Sequence, residues 1–187
     1  MKIKDKKNLL NLARKTIEFA LEGKKFEPDE KIKEKYSEKK ACFVTLTKNN
    51  QLRGCIGSLI AKQELWKEVI ENSINSAFND VRFYPLKKTE LKDIDIEISI
   101  LSKPRQINYN NLGELKEKIK NKGVLISYSI YSATYLPQVW GQLKTEERFL
   151  SSLCEKAGLN IDFWKTGKLK VEVYNTENII LNTKNNL

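Results

Sequence analysis

Between Ile94 and Ile100, isoleucine holds every second position, and Asp95, Glu97 and Ser99 fill the places between. A strand turns successive side chains to opposite faces, so this pattern reads as a strand with one face buried and the other polar. Such a strand needs a sheet whose apolar face is covered. The cover is legible in two amphipathic helices. In the first, Leu9, Leu10, Ala13, Ile17, Ala20 and Leu21 recur at helical spacing, with Asp5 as the candidate cap and Gly23 as the stop. In the second, Leu65, Trp66, Val69, Ile70, Ile74, Ala77 and Phe78 run to an end near Asn79-Asp80. A charged connection from Lys24 to Lys40 leads into a predicted hairpin, with strands over 42–47 and 51–57 and a turn at Lys48-Asn49-Asn50. Downstream, Leu112, Leu115 and Ile119 predict a short helix closed by Gly123, and 124–128 and 133–136 predict strands stopped by Pro137. Thr145 caps a helix built on Phe149, Leu150, Leu153 and Ala157, and Leu169, Val171 and Val173 mark a closing strand. Hairpins mixed with helices, without βαβ alternation, predict an α+β fold with a mostly antiparallel sheet and flanking helices.

A chain of 187 residues is long enough for one domain, expected over 5–175 with a polar tail over 176–187, and buries roughly 70% of its unfolded surface. The three cysteines, Cys42, Cys55 and Cys154, are odd in number and lack C-x-x-C spacing, which argues against a disulfide framework and a zinc ribbon. The amino terminus has no apolar h-region and no run reaches the length of a membrane span. The expected location is the cytoplasm. The chain has no histidine, so Ser-His-Asp and Cys-His catalysis and histidine-ligated metals are excluded within it. A net charge of +10 arises mostly from lysines spread among glutamates on helices, and no basic stretch interleaved with aromatics is read from it.

The run Leu52-Arg53-Gly54-Cys55-Ile56-Gly57 places a thiol, a guanidinium and two glycines on one extended segment. Alternation puts Arg53 and Cys55 on one face, with Leu52 and Ile56 on the other. Three readings of Cys55 are open: a small buried core residue, a thiolate activated by Arg53, and a ligand contact beside Gly54 and Gly57, whose missing side chains let a small molecule approach the backbone. The same glycines equally fit a β-bulge or bend. Of the 34 Lys+Arg, five are arginine: Arg14, Arg53, Arg82, Arg105 and Arg148. Arginine's planar fork suits bidentate grip of an anion, and Arg53 and Arg82 serve either that role or an internal ion pair with Asp80 or Glu97. Asp80 and Glu97 are candidate general bases if burial raises their pKa, and otherwise pair with neighbours.

The Leu52–Gly57 run, Ala77-Phe78-Asn79-Asp80-Val81-Arg82-Phe83-Tyr84-Pro85-Leu86, Glu97–Ser102, Leu136-Pro137-Gln138-Val139-Trp140 and the stretch from Phe149 to Leu159 together resemble the AMMECR domain family. That family is named for the chromosomal region of Alport syndrome, mental retardation, midface hypoplasia and elliptocytosis. The resemblance covers nearly the whole chain, and it implies two unequal subdomains with a cleft between them. It departs from the family at Val81 and Tyr84, where proline is usual, and at Ser129–Ser132, where a glycine-rich turn is usual. Family members occur fused to or encoded beside Memo-like and radical-SAM-type proteins, which makes those the expected protein partners. In the same comparison Gln138 and Trp140 line either a pocket wall or a packing edge. The resemblance implies no particular reaction.

These observations predict a cytosolic small-molecule-binding protein or thiol-dependent enzyme centred on the Leu-Arg-Gly-Cys-Ile-Gly motif. Cys55, Asp80 and Glu97 are its candidate catalytic residues, and Arg53, Gly54, Gly57 and Arg82 its candidate substrate-binding residues. The alternative is a noncatalytic adaptor that binds RNA or a protein through its basic surface. Without GxGxxG, P-loop or EF-hand patterns, the sequence assigns no cofactor and no metal.

Overall fold

The alternating isoleucines form β3, and the hairpin predicted upstream of them pairs with it. The computed structural model describes residues 3–181. In chain order the elements are α1 (Ile3–Leu21), α2 (Glu30–Lys35), β1 (Cys42–Lys48), β2 (Gln51–Gly57), α3 (Leu65–Ile74), β3 (Ile94–Leu101), β4 (Arg105–Gln106), α4 (Leu112–Ile119), β5 (Gly123–Tyr128), β6 (Tyr131–Tyr135), α5 (Trp140–Leu143), α6 (Glu146–Lys156), β7 (Lys170–Tyr174) and β8 (Thr176–Leu181). The chain divides into two units, one comprising residues up to Leu101 together with those from Glu177 onward, the other Ser102–Thr176. The fold is α+β, with one antiparallel-paired sheet in each unit.

In the first unit the strand order is β2-β1-β3-β8. Both β2 and β3 run antiparallel to β1. The turn between β1 and β2 holds Asn49 and Asn50 at positive φ, 52° and 62°, the conformation a tight two-residue hairpin requires. Val44, Leu46, Ile94, Ile96, Ile98 and Ile100 bury one face of this sheet against Leu9, Ala13 and Ile17 of α1 and Leu65 and Val69 of α3. Full burial of each such side chain is worth about 1.5–3 kcal/mol. Gly23, at φ 69°, ends α1 as expected. Asp5, expected as the cap, lies inside the first turn instead and pairs with Lys35. The charged connection contains α2, capped by Asp29, whose side chain accepts from the Ile32 N–H.

The second unit orders its strands β4-β7-β5-β6 and packs Leu115 and Ile119 of α4 and Phe149, Leu150 and Leu153 of α6 on Val124, Ile126, Val171 and Val173. Thr145 caps α6 as predicted, accepting from the Arg148 N–H. Gly123 does not close α4. The chain turns at Asn121, φ 59°, and Gly123 opens β5, where a Cβ would lie 2.2 Å from the Tyr174 ring. No helix of the described residues is long and apolar enough to cross a membrane.

The first half of the expected polar tail has regular structure. Residues 176–181 form β8 beside β3, because Ile179, only 2% exposed, reaches the first core. The rest of that expected tail, 182–187, lies outside the described residues. Ile179→Ala is therefore expected to cost about 2–4 kcal/mol. Ile180→Ala, at a residue 57% exposed, should cost under about 0.5 kcal/mol. Equal urea midpoints for the two variants would contradict a packed β8.

Candidate functional site

The motif occupies β2, the edge strand of its sheet, and its register with β1 is interrupted. Leu46 pairs with Gly54 and Thr47 with Leu52, so Arg53 is the extra residue of a β-bulge. The bulge overturns the expected alternation. Leu52 and Cys55 lie opposite Thr47 and Thr45 on one face, and Arg53 leaves the ladder. Its guanidinium donates Nε to Glu90 Oε1 at 3.2 Å and Nη2 to Glu90 Oε2 at 3.1 Å, with Nη2 also on the Tyr84 carbonyl at 2.8 Å.

The segment after α3 forms one π-helical turn, Asn75–Asn79, a geometry often found at functional sites. Ser76 on this turn accepts from the Ile56 N–H at 2.9 Å and donates to the Val44 carbonyl at 2.7 Å, bridging β2 and β1. The contact explains Gly54, because a Cβ there would lie 2.0 Å from the Ser76 carbonyl oxygen. At Gly57 a Cβ would meet the Cys42 carbonyl oxygen at 2.4 Å. Both glycines are thus required by the chain's own packing, with no ligand needed to account for them.

Asp80 caps the π-helical turn and is heavily bonded. Its carboxylate accepts from the Cys55 N–H at 2.9 Å, the Arg82 N–H at 3.2 Å, Arg82 Nε at 2.9 Å and Arg82 Nη2 at 2.7 Å. Arg82 Nη2 also donates to the Cys55 carbonyl at 3.2 Å. The ion pair therefore meets both outward backbone groups of Cys55, standing in for a neighbouring strand. The Arg82 hydrogen bonds hold Asp80 at a pKa of about 2 against the opposing effect of burial. Of the two readings of Asp80, a base raised toward neutrality or a carboxylate paired with a neighbour, that direction favours the paired one. Glu90, which also accepts Lys48 Nζ at 3.1 Å, is likewise held at about 2, chiefly by Arg53.

Of the three readings open for Cys55, activation by Arg53 is the one the geometry does not favour, because the guanidinium is turned to Glu90. Burial pushes the Cys55 pKa up, and neither the Thr45 hydroxyl, which donates to Sγ at 3.3 Å, nor the Arg82 charge reverses it. Glu97 lies across from Thr45 on β3, so it is two strand spacings from Cys55, about 9.6 Å between backbones, and it accepts from Ser99 Oγ at 3.3 Å. Cys55, Thr45 and Glu97 form a row across one sheet face, and the Cys55 end of it is bonded to the Asp80–Arg82 pair. Cys42 and Cys154 are buried, and burial pushes Cys42 up to about 12.

Arg53, Arg82, Phe83, Tyr84, Lys87 and Glu90 line a groove of about 800 Å³. Phe83 is near both guanidinium groups, its ring centre 5.9 Å from Arg53 Cζ and 5.5 Å from Arg82 Cζ. Both are within cation–π range. Among the described residues no group of three or more Cys, Asp or Glu side chains is placed to hold a metal ion.

The AMMECR1 family pattern matches residues 10–179. The chain belongs to the AMMECR1 family. It is 41% identical over 175 residues to protein NEQ441 of Nanoarchaeum equitans, covering 89% of this chain and 95% of that protein. It is 39% identical over 189 residues to protein PYRAB00100 of Pyrococcus abyssi, covering 94% and 91%. The crystal structure of protein PH0010 from Pyrococcus horikoshii superposes with a TM-score of 0.88 at 35% identity, covering 95% of this chain and 92% of that one.

Within this AMMECR1 fold, Arg53, Gly54, Cys55, Asp80 and Arg82 come together, while Glu97 stands two strands away from Cys55 on the same row. Trp140 belongs to the second unit's core, stacked on Phe149 at 4.0 Å with its Nε1 on the Lys122 carbonyl at 2.9 Å. Gln138 lies in the short turn Pro137–Val139. Sequence reasoning missed Glu90, Ser76, Thr45 and the two aromatics Phe83 and Tyr84. The spacing of Arg82-Phe83-Tyr84 before Lys87 was the available signal for the aromatics. Glu90 carried none.

Two measurements test this electrostatic description. Cys55 in the folded protein is expected to alkylate with a midpoint above the roughly 8.5 of a free thiol, with Cys42 and Cys154 protected until unfolding. A Cys55 midpoint below that value would contradict the site as described. Asp80→Asn should lower stability at neutral pH by roughly 1–3 kcal/mol, nearer the lower figure because the Arg82 side chain is 53% exposed. The Asp80 pKa is lowered in the folded state, so its contribution is complete above about pH 4 and is lost as pH falls through about 2. The gap between the variant and wild type should close over that window in acid titrations of stability.

Proposed function

We propose that this AMMECR1 family protein is a cytosolic small-molecule-binding protein whose site is the groove beside the Leu52–Gly57 motif. The observation that carries the reading is the pairing of Arg53 and Arg82 in one groove. Each binds a carboxylate through Nε and Nη2, and neither Nη1 has a hydrogen-bond partner among the described residues. A guanidinium fixed on one side and open on the other is pre-organised to grip an anion without a further ordering cost. The raised Cys55 pKa favours binding over thiol catalysis, because a neutral thiol is a poor nucleophile. The free state of all three cysteines supports a reducing compartment.

The test is retention of metabolites from a cell extract by the folded protein, identified by mass spectrometry, for wild type and Arg53→Lys. The variant keeps the charge facing Glu90 and removes the planar fork. We expect at least one anionic metabolite on the wild type and about a tenfold or greater loss of it on Arg53→Lys. Identical retention by the two proteins, both checked for a native circular dichroism spectrum, would reject the groove as the site.

A further inference from the structure

The groove contains one feature that holding an anion does not use. Tyr84 lines it at 89% exposure, and its side chain makes no hydrogen bond or ring contact among the described residues. Its backbone is nevertheless fixed, because the carbonyl accepts Arg53 Nη2 at 2.8 Å. The Phe83 N–H closes a turn on Asp80 at 3.0 Å, and the Leu86 N–H is held by the Ala77 carbonyl at 2.8 Å. An exposed ring on a pinned backbone is a stacking surface held in readiness, because little backbone freedom remains to be lost when a flat partner lands on it.

Charge identifies the other end of the partner. The groove and its margin hold the cations Arg53, Arg82, Lys87 and Lys48 against the carboxylates Asp80 and Glu90. Both carboxylates are saturated by those cations, so the surplus is positive. A phosphate supplies up to two charges and three acceptor oxygens for the open guanidinium edges, more than a single carboxylate offers. The volume, about 800 Å³, lies within the roughly 300–1,000 Å³ usual for small-molecule sites.

Resting on the groove reading above, we propose that the ligand is a phosphate ester carrying a flat aromatic ring, of mononucleotide size. Its phosphate meets the free Nη1 atoms of Arg53 and Arg82, and its ring stacks on Tyr84. Phe83 is already in contact with both guanidinium groups, which leaves Tyr84 as the residue that selects for the ring.

Calorimetric titration of the full chain tests this with adenosine and uridine monophosphates, inorganic phosphate, the two nucleosides and an oligouridylate. At least one mononucleotide should bind more tightly than inorganic phosphate and than its own nucleoside. Tyr84→Ala should weaken that mononucleotide by about fivefold or more, toward the affinity of inorganic phosphate on the same variant. Mononucleotides no tighter than phosphate, or undiminished by Tyr84→Ala, would overturn the proposal. Binding of the oligouridylate alone, falling steeply with salt, would overturn it in favour of a single strand. A non-aromatic acid retained in the Arg53→Lys experiment would overturn it while the groove reading stands. Failure of every probe together with identical retention by wild type and Arg53→Lys would remove both.

Discussion

Cys55 turns its backbone N–H and C=O toward the open edge of β2, and the Asp80–Arg82 pair meets both, the carboxylate at 2.9 Å and the guanidinium at 3.2 Å. An exposed sheet edge is a template for unwanted strand pairing, and here two side chains two residues apart fill it. The consequence reaches beyond the edge. Because Asp80 also accepts from the Arg82 backbone, fastening the ion pair to β2 fastens the loop that follows. That loop then carries Phe83 and Tyr84 to the groove and buries Leu86 in the first core. The π-helical turn makes the approach close enough. Its Ser76 hydroxyl is inserted between the strands, and Gly54 leaves room for the Ser76 carbonyl.

The same arrangement explains why the pKa of the motif's thiol is pushed up while those of its carboxylate neighbours are pushed down. Asp80 and Glu90 each receive a two-pronged guanidinium, and hydrogen bonds to the charged form outweigh the cost of partial burial. Cys55 receives only one hydroxyl and a cation whose charge Asp80 already offsets. Burial wins there, and the pKa rises. What the ion pair uses of Cys55 is its backbone, while its side chain shares a row with Thr45 and Glu97.

Much of the fold was legible because it rests on periodicity. The β3 isoleucines, the α1 and α3 faces and the Asn-Asn hairpin turn all announce themselves locally. What was not legible depends on register or on distant partners. The bulge at Arg53 could not be placed from alternation, since one extra residue in the ladder moves Leu52 to the Cys55 face without changing a letter of the motif. β8 lacks alternation over Thr176–Leu181 and exists because β3 offers an edge. Of the site, Arg53 and Arg82 were legible as a pair of unusual residues in a lysine-rich chain, and the Asp80 partnership was one of the alternatives. Glu90 was invisible as a partner of Arg53, because it lies 37 positions away on the short helical turn Lys88–Asp93.

The contrast between lysine and arginine carries the argument furthest. Lysine is this chain's ordinary cation, and its surface pairs, such as Lys24 with Glu22 or Lys165 with Asp162, are single contacts that any flexible ammonium can make. At Asp80 and Glu90 the requirement is different. Each carboxylate must be held through both oxygens while the same cation reaches a backbone carbonyl, that of Cys55 in one case and Tyr84 in the other. An ammonium has the charge for this but no planar fork to divide between two oxygens and a carbonyl in fixed directions. The guanidinium does so with Nε and Nη2 and still has Nη1 to spare. The residue type that locks the edge of β2 and the loop beside it is therefore the one that leaves a donor unused by that structural role.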